Sequence, residues 1–485
     1  MKKNILQRFI CWIFAIWCVF LALLNLIQLV TAADTPVFVT LLALVCAAAV
    51  LGMCFLLGAL LEKSPRWVAP LAVFLLALAV KALVIIFAGS EQYSDYLTFY
   101  RAASFISSGQ TNFVRENPYW GIWSYQFGFP WLLSLFCRLF HTSSVTFCLA
   151  VNTAFSAGCS ALLYAIIRRS ASCRAAVFGS LMFTLLPISL TLSAVLTNQQ
   201  LSLFFVLLAL LTLDTNTPDW KRGVLAGILL GIANIARADV IIVPLAVFVA
   251  GLLLLNRKTL RLQPDGNQRE VLAALLCMAV YYAFGKLIEL PLRQLQPYGL
   301  QNHFPLYKFA VGLNAVSGGR YSEALNLQLI ENPAYIADTL LRDADTKQLI
   351  LQELSVEPVR LLRLLLQKCR YAWSCYGHRY ELFHAYDSGA YVSLGALRLP
   401  VFTMERLLMQ MDSLLRMALF GANAAAGVRL ARRNGRDWLL LICVLCVLAF
   451  SAVSLVIEVQ YRYTYLVMPM FCMVLCRAVK RENAK

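Results

Sequence analysis

Charged side chains are scarce in this chain of 485 residues: Asp, Glu, Lys and Arg together make up only 14% of it. Soluble globular proteins contain about 25% of these residues. Hydrophobic residues account for 60% of the chain, and the mean hydropathy is +0.71. Most of the chain must therefore be solvated by lipid, so the composition excludes a soluble protein and indicates a polytopic membrane protein.

Sequence patterns that would indicate other kinds of chemistry are also missing. The chain has neither the Gly-x-x-x-x-Gly-Lys-Ser/Thr phosphate loop nor the Gly-x-Gly-x-x-Gly dinucleotide turn. It also lacks His-Glu-x-x-His, and its four histidines are scattered. These absences argue against ATP-driven pumping, dinucleotide chemistry and zinc catalysis. We expect neither a cofactor nor a bound metal.

The apolar runs are continuous and about 20 residues long, which is the length of a helix that spans a bilayer. Strands of a membrane β-barrel would be shorter and would alternate in polarity. We therefore predict an all-α polytopic membrane protein with about 12 transmembrane helices. The candidate spans are 8–31, 36–61, 67–89, 145–167, 174–191, 198–213, 222–236, 238–256, 271–291, 400–421, 437–457 and 463–477.

The basic residues, 42 against 25 acidic ones, are concentrated in short connections between these runs. Cytoplasmic loops of membrane proteins are enriched in Lys and Arg, so we interpret the excess as a topology signal and expect no nucleic-acid partner. If both termini lie in the cytoplasm, every basic connection lies on the cytoplasmic side of the membrane. These connections lie at 63–66, 168–174, 221–222, 257–269, 429–436 and 477–481.

The short run at 126–140 decides this topology. It contains Pro130 and Arg138, and if it crossed the membrane, every later basic connection would move to the outside. We therefore interpret 90–144 as a first outer loop of interfacial helices. Its aromatic anchors would be Trp120, Trp123, Tyr125 and Trp131.

Four parts follow from this reading. Residues 1–61 form an N-terminal transmembrane hairpin, and 62–291 form a transmembrane catalytic module that contains the first outer loop. Residues 292–399 form a large extracytoplasmic loop, and 400–485 form the C-terminal transmembrane helices. Within the large loop, 358–368 alternates basic and apolar residues like a helix on a membrane surface that can cover the rim of a cavity.

Three polar clusters at the boundaries of spans project to the predicted outer side. Asp95 follows the third apolar run, Arg237 and Asp239 follow a helix with glycines at 223, 227 and 231, and a polar segment at 458–463 separates the last two runs. Ionisable residues near membrane depth commonly serve function. Asp95 can alternatively cap the helix that begins at Tyr96. The glycines at intervals of four indicate close packing of helices.

These features resemble the GT-C glycosyltransferases, which include protein O-mannosyltransferases and the aminoarabinose and related lipid-linked sugar transferases. The resemblance rests on Ser94-Asp95-Tyr96, on Arg237 after a Gly-rich helix, on the acidic-x-x-x-Arg-Tyr segment Glu458 to Tyr463, and on a Gly-x-Asn stretch at 311–320. The chain differs from many members of the family in one respect: they have two adjacent acidic residues in the first loop, and here Asp95 has no acidic neighbour. The hairpin at 1–61 is an addition to the family pattern.

The resemblance implies a bacterial plasma-membrane enzyme that transfers a sugar from a polyprenyl-phosphate donor to an acceptor hydroxyl outside the membrane. Asp95 is then the catalytic base, and inversion follows if the hydroxyl attacks opposite the phosphate. Arg462, with Arg237 as a second candidate, binds the phosphate. Further contacts of the donor phosphate or sugar are Glu458, Gln460 and Tyr463. Candidate acceptor or loop contacts are Tyr96, Tyr100, Arg101, His303 and Lys308.

The implied partners are the lipid-linked donor, membrane lipids and an acceptor that is a glycolipid, a glycopolymer or a protein. Two alternatives remain open from the sequence. One is a transporter or flippase of polysaccharides or lipid-linked sugars, although the chain shows no clear internal repeat. The other is a polymerase or ligase of the O-antigen type, which would use the same class of donor.

The predicted topology can be tested by cysteine labelling. In a Cys-reduced background, single cysteines at Gln110 and at 142–144 should react with a membrane-impermeant maleimide added from outside, because 126–140 does not cross the membrane in this topology. Labelling of 142–144 only after the cytoplasmic side is opened would contradict the assignment of sides.

Overall fold

The computed structural model of the chain describes residues 5–32, 35–88, 91–215, 219–254, 266–355, 357–374, 379–382, 390–394, 397–432 and 437–478. The predicted basic connections at 257–269, 429–436 and 477–481 lie partly outside these residues. Within the described residues the chain is helical apart from one two-stranded antiparallel sheet, in which Tyr391 pairs with Pro400.

The helices fall into five groups along the chain. The N-terminal group is α1 (Ile5–Thr31), α2 (Val37–Leu61) and α3 (Val68–Ala88). The first loop segment contains α4 (Ser94–Ser107), α5 (Asn112–Arg115), α6 (Tyr119–Trp123), a 3-10 turn (Ser124–Gln126) and α7 (Gly128–Leu139). The central group is α8 (Val145–Arg168), α9 (Cys173–Leu185), α10 (Pro187–Thr191), a 3-10 turn (Leu192–Ala194), α11 (Asn198–Leu213), α12 (Asp219–Ala236), a 3-10 turn (Ala238–Ile241), α13 (Ile242–Leu254) and α14 (Gly266–Leu295).

The second loop segment contains α15 (Pro305–Leu313), α16 (Glu323–Leu329), α17 (Pro333–Ala337), α18 (Thr339–Leu354), α19 (Pro358–Trp373), α20 (Arg379–Leu382) and the strands β1 (Tyr391–Leu394) and β2 (Leu397–Pro400). The C-terminal group is α21 (Val401–Arg432), α22 (Trp438–Val456), a 3-10 turn (Tyr461–Leu466) and α23 (Met468–Ala478).

Seven of the described helices, and not 12, are long and apolar enough to cross a membrane; the number rises to eight if one bent pair counts as a span. The seven are Ile5–Thr31, Val37–Leu61, Val68–Phe87, Val145–Arg168, Glu270–Leu295, Val401–Arg432 and Trp438–Val456. Each corresponds to a predicted span, so the long runs were interpreted correctly. The all-helical class is confirmed, and the count of 12 is not.

Most of the remaining predicted spans are short or bent, whereas α12 has 18 residues but begins with the charged residues Asp219, Lys221 and Arg222. Helix α11 has 16 residues, and a rise of about 1.5 Å per residue leaves it shorter than the ~30 Å hydrocarbon core. Helices α9 and α10 meet at Pro187 with a bend of 62°, because proline cannot continue the helical hydrogen bonding. The ammonium of Lys81 in α3 donates to the carbonyl and the hydroxyl of Ser189 at 2.7 and 2.8 Å, which satisfies backbone that the bend exposes.

The N-terminal hairpin is part of the core and not an appendage. Helix α1 packs along α21, and the ring of Trp17 lies 6.4 Å from that of Trp373. Asn25 in α1 donates to the carbonyl of Trp373 at 3.2 Å. Trp373 is fully buried and also contacts Phe420 and Phe450 of the C-terminal helices. The end of α19 is therefore held inside the protein, whereas Leu362 near its start is exposed.

The glycine ladder of α12 forms a close contact with α14, as predicted. A Cβ atom at Gly227 would lie 2.7 Å from the backbone oxygen of Cys277, and equivalent overlaps occur at Gly223 and Gly231. The two helix backbones can approach this closely only because these positions have no side chain. This contact fixes the end of α12, from which Arg237 continues.

Substitution Gly227→Ala should lower the melting temperature of the detergent-solubilised protein, because overpacking of a close interface costs about 1–3 kcal/mol. The matched control is Gly285→Ala in α14, where a Cβ meets no atom within 4 Å. There the higher helix propensity of Ala should leave stability equal or slightly raised. Equal melting temperatures for the two variants would contradict the proposed packing.

Candidate active site

A cavity of about 1020 Å³ is formed where the two loop segments meet the ends of the central and C-terminal helices. It brings together the three polar clusters around Asp95, Arg237 and Glu458, which are far apart in the sequence. The lining also includes rings of Tyr307 and Tyr371. The cavity therefore combines charged groups with aromatic walls, as small-molecule sites commonly do.

Asp95 lies in the first turn of α4, and its carboxylate faces other side chains. Its Oδ1 accepts a hydrogen bond from the hydroxyl of Tyr119 at 2.9 Å, and its Oδ2 lies 3.5 Å from Nη2 of Arg462. The N-cap position of α4 is Tyr93, and no side chain caps the helix. Both carboxylate oxygens thus contact other side chains. The structure contradicts the capping alternative.

Arg462 projects from the 3-10 turn at Tyr461–Leu466, and only 12% of its side chain is exposed. Its Nη1 donates to the hydroxyl of Tyr96, next to the base candidate in α4. Its carbonyl accepts from Nε2 of Gln199 at 2.7 Å. The guanidinium of Arg462 therefore contacts α4, and its backbone carbonyl is bound by Gln199 of α11.

Arg237 approaches the cavity from the end of α12. Its Nη2 lies 2.7 Å from Oδ2 of Asp239, and its Nη1 donates to Oδ1 of Asn198 at 3.1 Å. Its Cζ lies 5.2 Å from the ring centre of Tyr463, and the Cζ of Arg462 lies 5.9 Å from the same ring. The ring of Tyr463 is thus a shared neighbour of both arginines.

Glu458 is buried and bound to other protein groups. Its Oε2 accepts from Nζ of Lys308, and its Oε1 accepts from Nε2 of Gln460 at 2.5 Å. Burial raises the pKa of Glu458, but the ammonium of Lys308, the hydrogen bond from Gln460 and the charge of Arg462 together bring the pKa below its ordinary value. Burial likewise lowers the pKa of Lys308, yet Glu458 raises it to well above the ordinary value. Both groups are therefore charged at neutral pH.

The Gly-x-Asn stretch of the second loop segment supports the backbone around Glu458. A Cβ at Gly312 would overlap the backbone of Ile457, and the amide of Val459 donates to the carbonyl of Gly319 at 2.8 Å. Nζ of Lys368 in α19 donates to the carbonyls of Gly312 and Ile457 at 2.6 and 2.8 Å. The stretch therefore acts as a scaffold for the polar segment.

Sequence analysis missed Tyr119, which binds Asp95 directly. Burial, and after it the neighbouring carboxylate of Asp95, raise the pKa of Tyr119 well above its ordinary value, so the phenol remains a hydrogen-bond donor. Its oxygen accepts from Nε2 of Gln126 at 3.1 Å. The surrounding aromatic residues were interpreted as interfacial anchors, but Trp120 is buried and Trp123 lines the cavity.

The candidate acceptor contacts divide into two groups. Tyr96 and Lys308 line the cavity. The described residues that line it do not include Tyr100, Arg101 or His303. His303 is exposed, and its Nε2 lies 2.9 Å from the carbonyl of Tyr298. Among the described residues, no group of three or more His, Cys, Asp or Glu side chains is arranged to hold a metal ion.

Residues 126–284 match the sequence model of the dolichyl-phosphate-mannose-protein mannosyltransferase family. The matched part is about a third of the chain; it contains Arg237 but neither Asp95 nor the segment at 458–463. No curated protein and no solved structure matches the chain. Over this region the chain is therefore similar to a glycosyltransferase family, and the apolar helices point to an integral membrane protein.

Substitution Glu458→Gln should destabilise the fold by about 3–5 kcal/mol, because it leaves the buried ammonium of Lys308 without its counter-charge. The control Glu62→Gln removes a carboxylate from Arg174 in a pair whose side chains are 40% and 44% exposed, and should cost about 0–1 kcal/mol. Melting temperatures in detergent compare the two. A similar small decrease for both variants would contradict a structural role for the buried pair.

Proposed function

We propose that the protein transfers a sugar from a polyprenyl-phosphate donor to an acceptor hydroxyl on the outer side of a bacterial plasma membrane, with inversion at the anomeric carbon. The observation that carries this proposal is the meeting of Asp95, Arg462 and Arg237 in one cavity of about 1020 Å³. The cavity is lined by ends of apolar helices, so a lipid-linked headgroup can enter it from the bilayer. The family match supports the donor class.

In this proposal, Asp95 takes the proton of the acceptor hydroxyl as the hydroxyl oxygen attacks the anomeric carbon. The bond between that carbon and the phosphate oxygen breaks, and its electron pair leaves with the phosphate. A phosphate leaving group needs charge stabilisation more than it needs a proton. One base is therefore sufficient. Tyr119 and Arg462 hold the two oxygens of Asp95 and so orient it for this step.

Geometry favours Arg237 over Arg462 as the ligand of the phosphate, which reverses the order suggested by the sequence. In an inverting displacement, the leaving group departs from the face of the sugar opposite to the base. Arg462 lies beside the base, 3.5 Å from Asp95. Arg237 is paired with a different carboxylate, Asp239. We assign Arg237 to the phosphate and Arg462 to the orientation of Asp95.

The acceptor is a glycolipid, a glycopolymer or a protein. Glu458 and Gln460 bind each other and Lys308, so we assign them to the wall of the site. Trp123, Tyr371 and Asn326 also line the cavity, and we assign them to the acceptor side of the site. We keep both termini in the cytoplasm, in accordance with the basic connections.

Substitution Asp95→Asn should lower sugar transfer by about 100-fold or more, because an amide cannot accept the proton. Binding of the donor should persist. The assay measures transfer of labelled sugar from polyprenyl phosphate into acceptor fractions at matched expression. Equal transfer by wild type and variant would reject Asp95 as the base. Movement of donor across the membrane without a glycosidic product would favour a transporter.

Measurements of donor binding and of turnover should distinguish the roles of Arg237 and Arg462. Arg237→Ala should weaken donor binding and turnover together, since a charge-assisted contact to a phosphate is worth about 1.5–3 kcal/mol. Arg237→Lys should restore only part of the loss, because an ammonium cannot form the planar fork. Arg462→Ala should lower turnover mainly and spare donor binding. If Arg462→Ala loses donor binding and Arg237→Ala does not, the two assignments must be exchanged.

A further inference from the structure

A fully buried ion pair lies in α21, outside the cavity. Nε of Arg416 is 2.7 Å from Oδ2 of Asp412, one helical turn away, and both side chains have 0% exposure. Neither residue lines the cavity. Burying two charges costs several kcal/mol per ion before their attraction is counted, so an apolar pair would serve a purely structural helix at least as well.

The pair is connected to the 3-10 turn that carries Arg462. The hydroxyl of Tyr461 donates to Oδ2 of Asp412 at 2.6 Å, and the Cζ of Arg416 lies 4.4 Å from the ring centre of Tyr461. Both terminal nitrogens of Arg416 lie 3.5 Å from Oγ1 of Thr464. The ion pair therefore contacts residues on both sides of Arg462 in the sequence.

A 3-10 turn needs such external contacts. Its hydrogen-bond geometry is poorer than that of an α-helix, and this turn has no side-chain N-cap. A small rotation of the turn would move the guanidinium of Arg462 by several ångströms, because the side chain is long. The contacts of Tyr461 and Thr464 to α21, together with Gln199 at the carbonyl of Arg462, restrict that rotation.

We propose that Asp412 and Arg416 are positioning residues that fix the 3-10 turn so that Arg462 holds the carboxylate of Asp95. The kinetic part of this inference rests on the proposed function. The structural part does not, because it concerns the rigidity of the turn. No contact of Asp412 or Arg416 with a substrate is required.

The experiment combines hydrogen exchange with a double-mutant cycle. Asp412→Asn removes the charge. Thr464→Val keeps the shape of the side chain but removes the hydroxyl that lies 3.5 Å from Arg416 and donates to the carbonyl of Tyr461 at 2.9 Å. The control is Asp214→Asn, which breaks another largely buried pair, with Arg477, whose side chains are 17% and 6% exposed. Exchange is measured on peptides that cover 457–467, and turnover and donor KM are measured on the same samples.

Amide exchange of 457–467 should be faster in Asp412→Asn and in Thr464→Val than in wild type and in Asp214→Asn. Turnover should fall about tenfold in Asp412→Asn with little change in donor KM, and the same substitution should have almost no further effect in an Arg462→Ala background, since coupled residues are non-additive. Equal fold losses in both backgrounds, or unchanged exchange, would overturn the proposal. If wild type transfers no sugar, the proposed function is wrong, and the exchange data still decide the positioning role.

Discussion

The contact between Asp95 and Arg462 is the interaction on which the site depends. It joins the first loop segment to the polar segment between the last two helices, and both partners line the cavity. Each partner is held from outside the pair: Tyr119 binds the carboxylate, and Tyr96 and Gln199 bind the arginine residue. The orientation of the Asp95 carboxylate therefore depends on parts of the chain that are distant in sequence and adjacent in space.

The charges of the cavity are organised as neighbouring opposite pairs. Beside Asp95 with Arg462, the cavity contains Arg237 with Asp239 and Lys308 with Glu458. An isolated charge at this depth would be costly, so pairing allows the groups to remain ionised before substrate arrives. Electrostatic catalysis works through such preorganised charges, since they need not reorient during the reaction. Under the proposed function, the phosphate of the donor would meet hydrogen-bond donors that are already in position.

Local sequence signals predicted the long apolar helices, the close packing at Gly227 and the clustering of polar residues, since each depends on residue type and spacing alone. The bend at Pro187 was missed because hydropathy does not report where a helix breaks inside a buried bundle. The bounds of α11 were predicted correctly, and only its assignment as a full span is not confirmed. Tyr119 was missed because a tyrosine among other aromatics carries no signal of its partner. In the sequence, Asp412 and Arg416 show only the i and i+4 spacing of a helical ion pair. Their proposed role depends on contacts with a distant turn, which the spacing does not predict.

A structure of the wild-type protein with a bound polyprenyl-phosphate sugar would test the roles proposed for Asp95 and Arg237. We expect the sugar to lie inside the cavity, with its phosphate bound by Arg237. The carboxylate of Asp95 should face the anomeric carbon from the opposite side. A sugar bound outside the cavity, or a phosphate bound between Asp95 and Arg462, would contradict these roles.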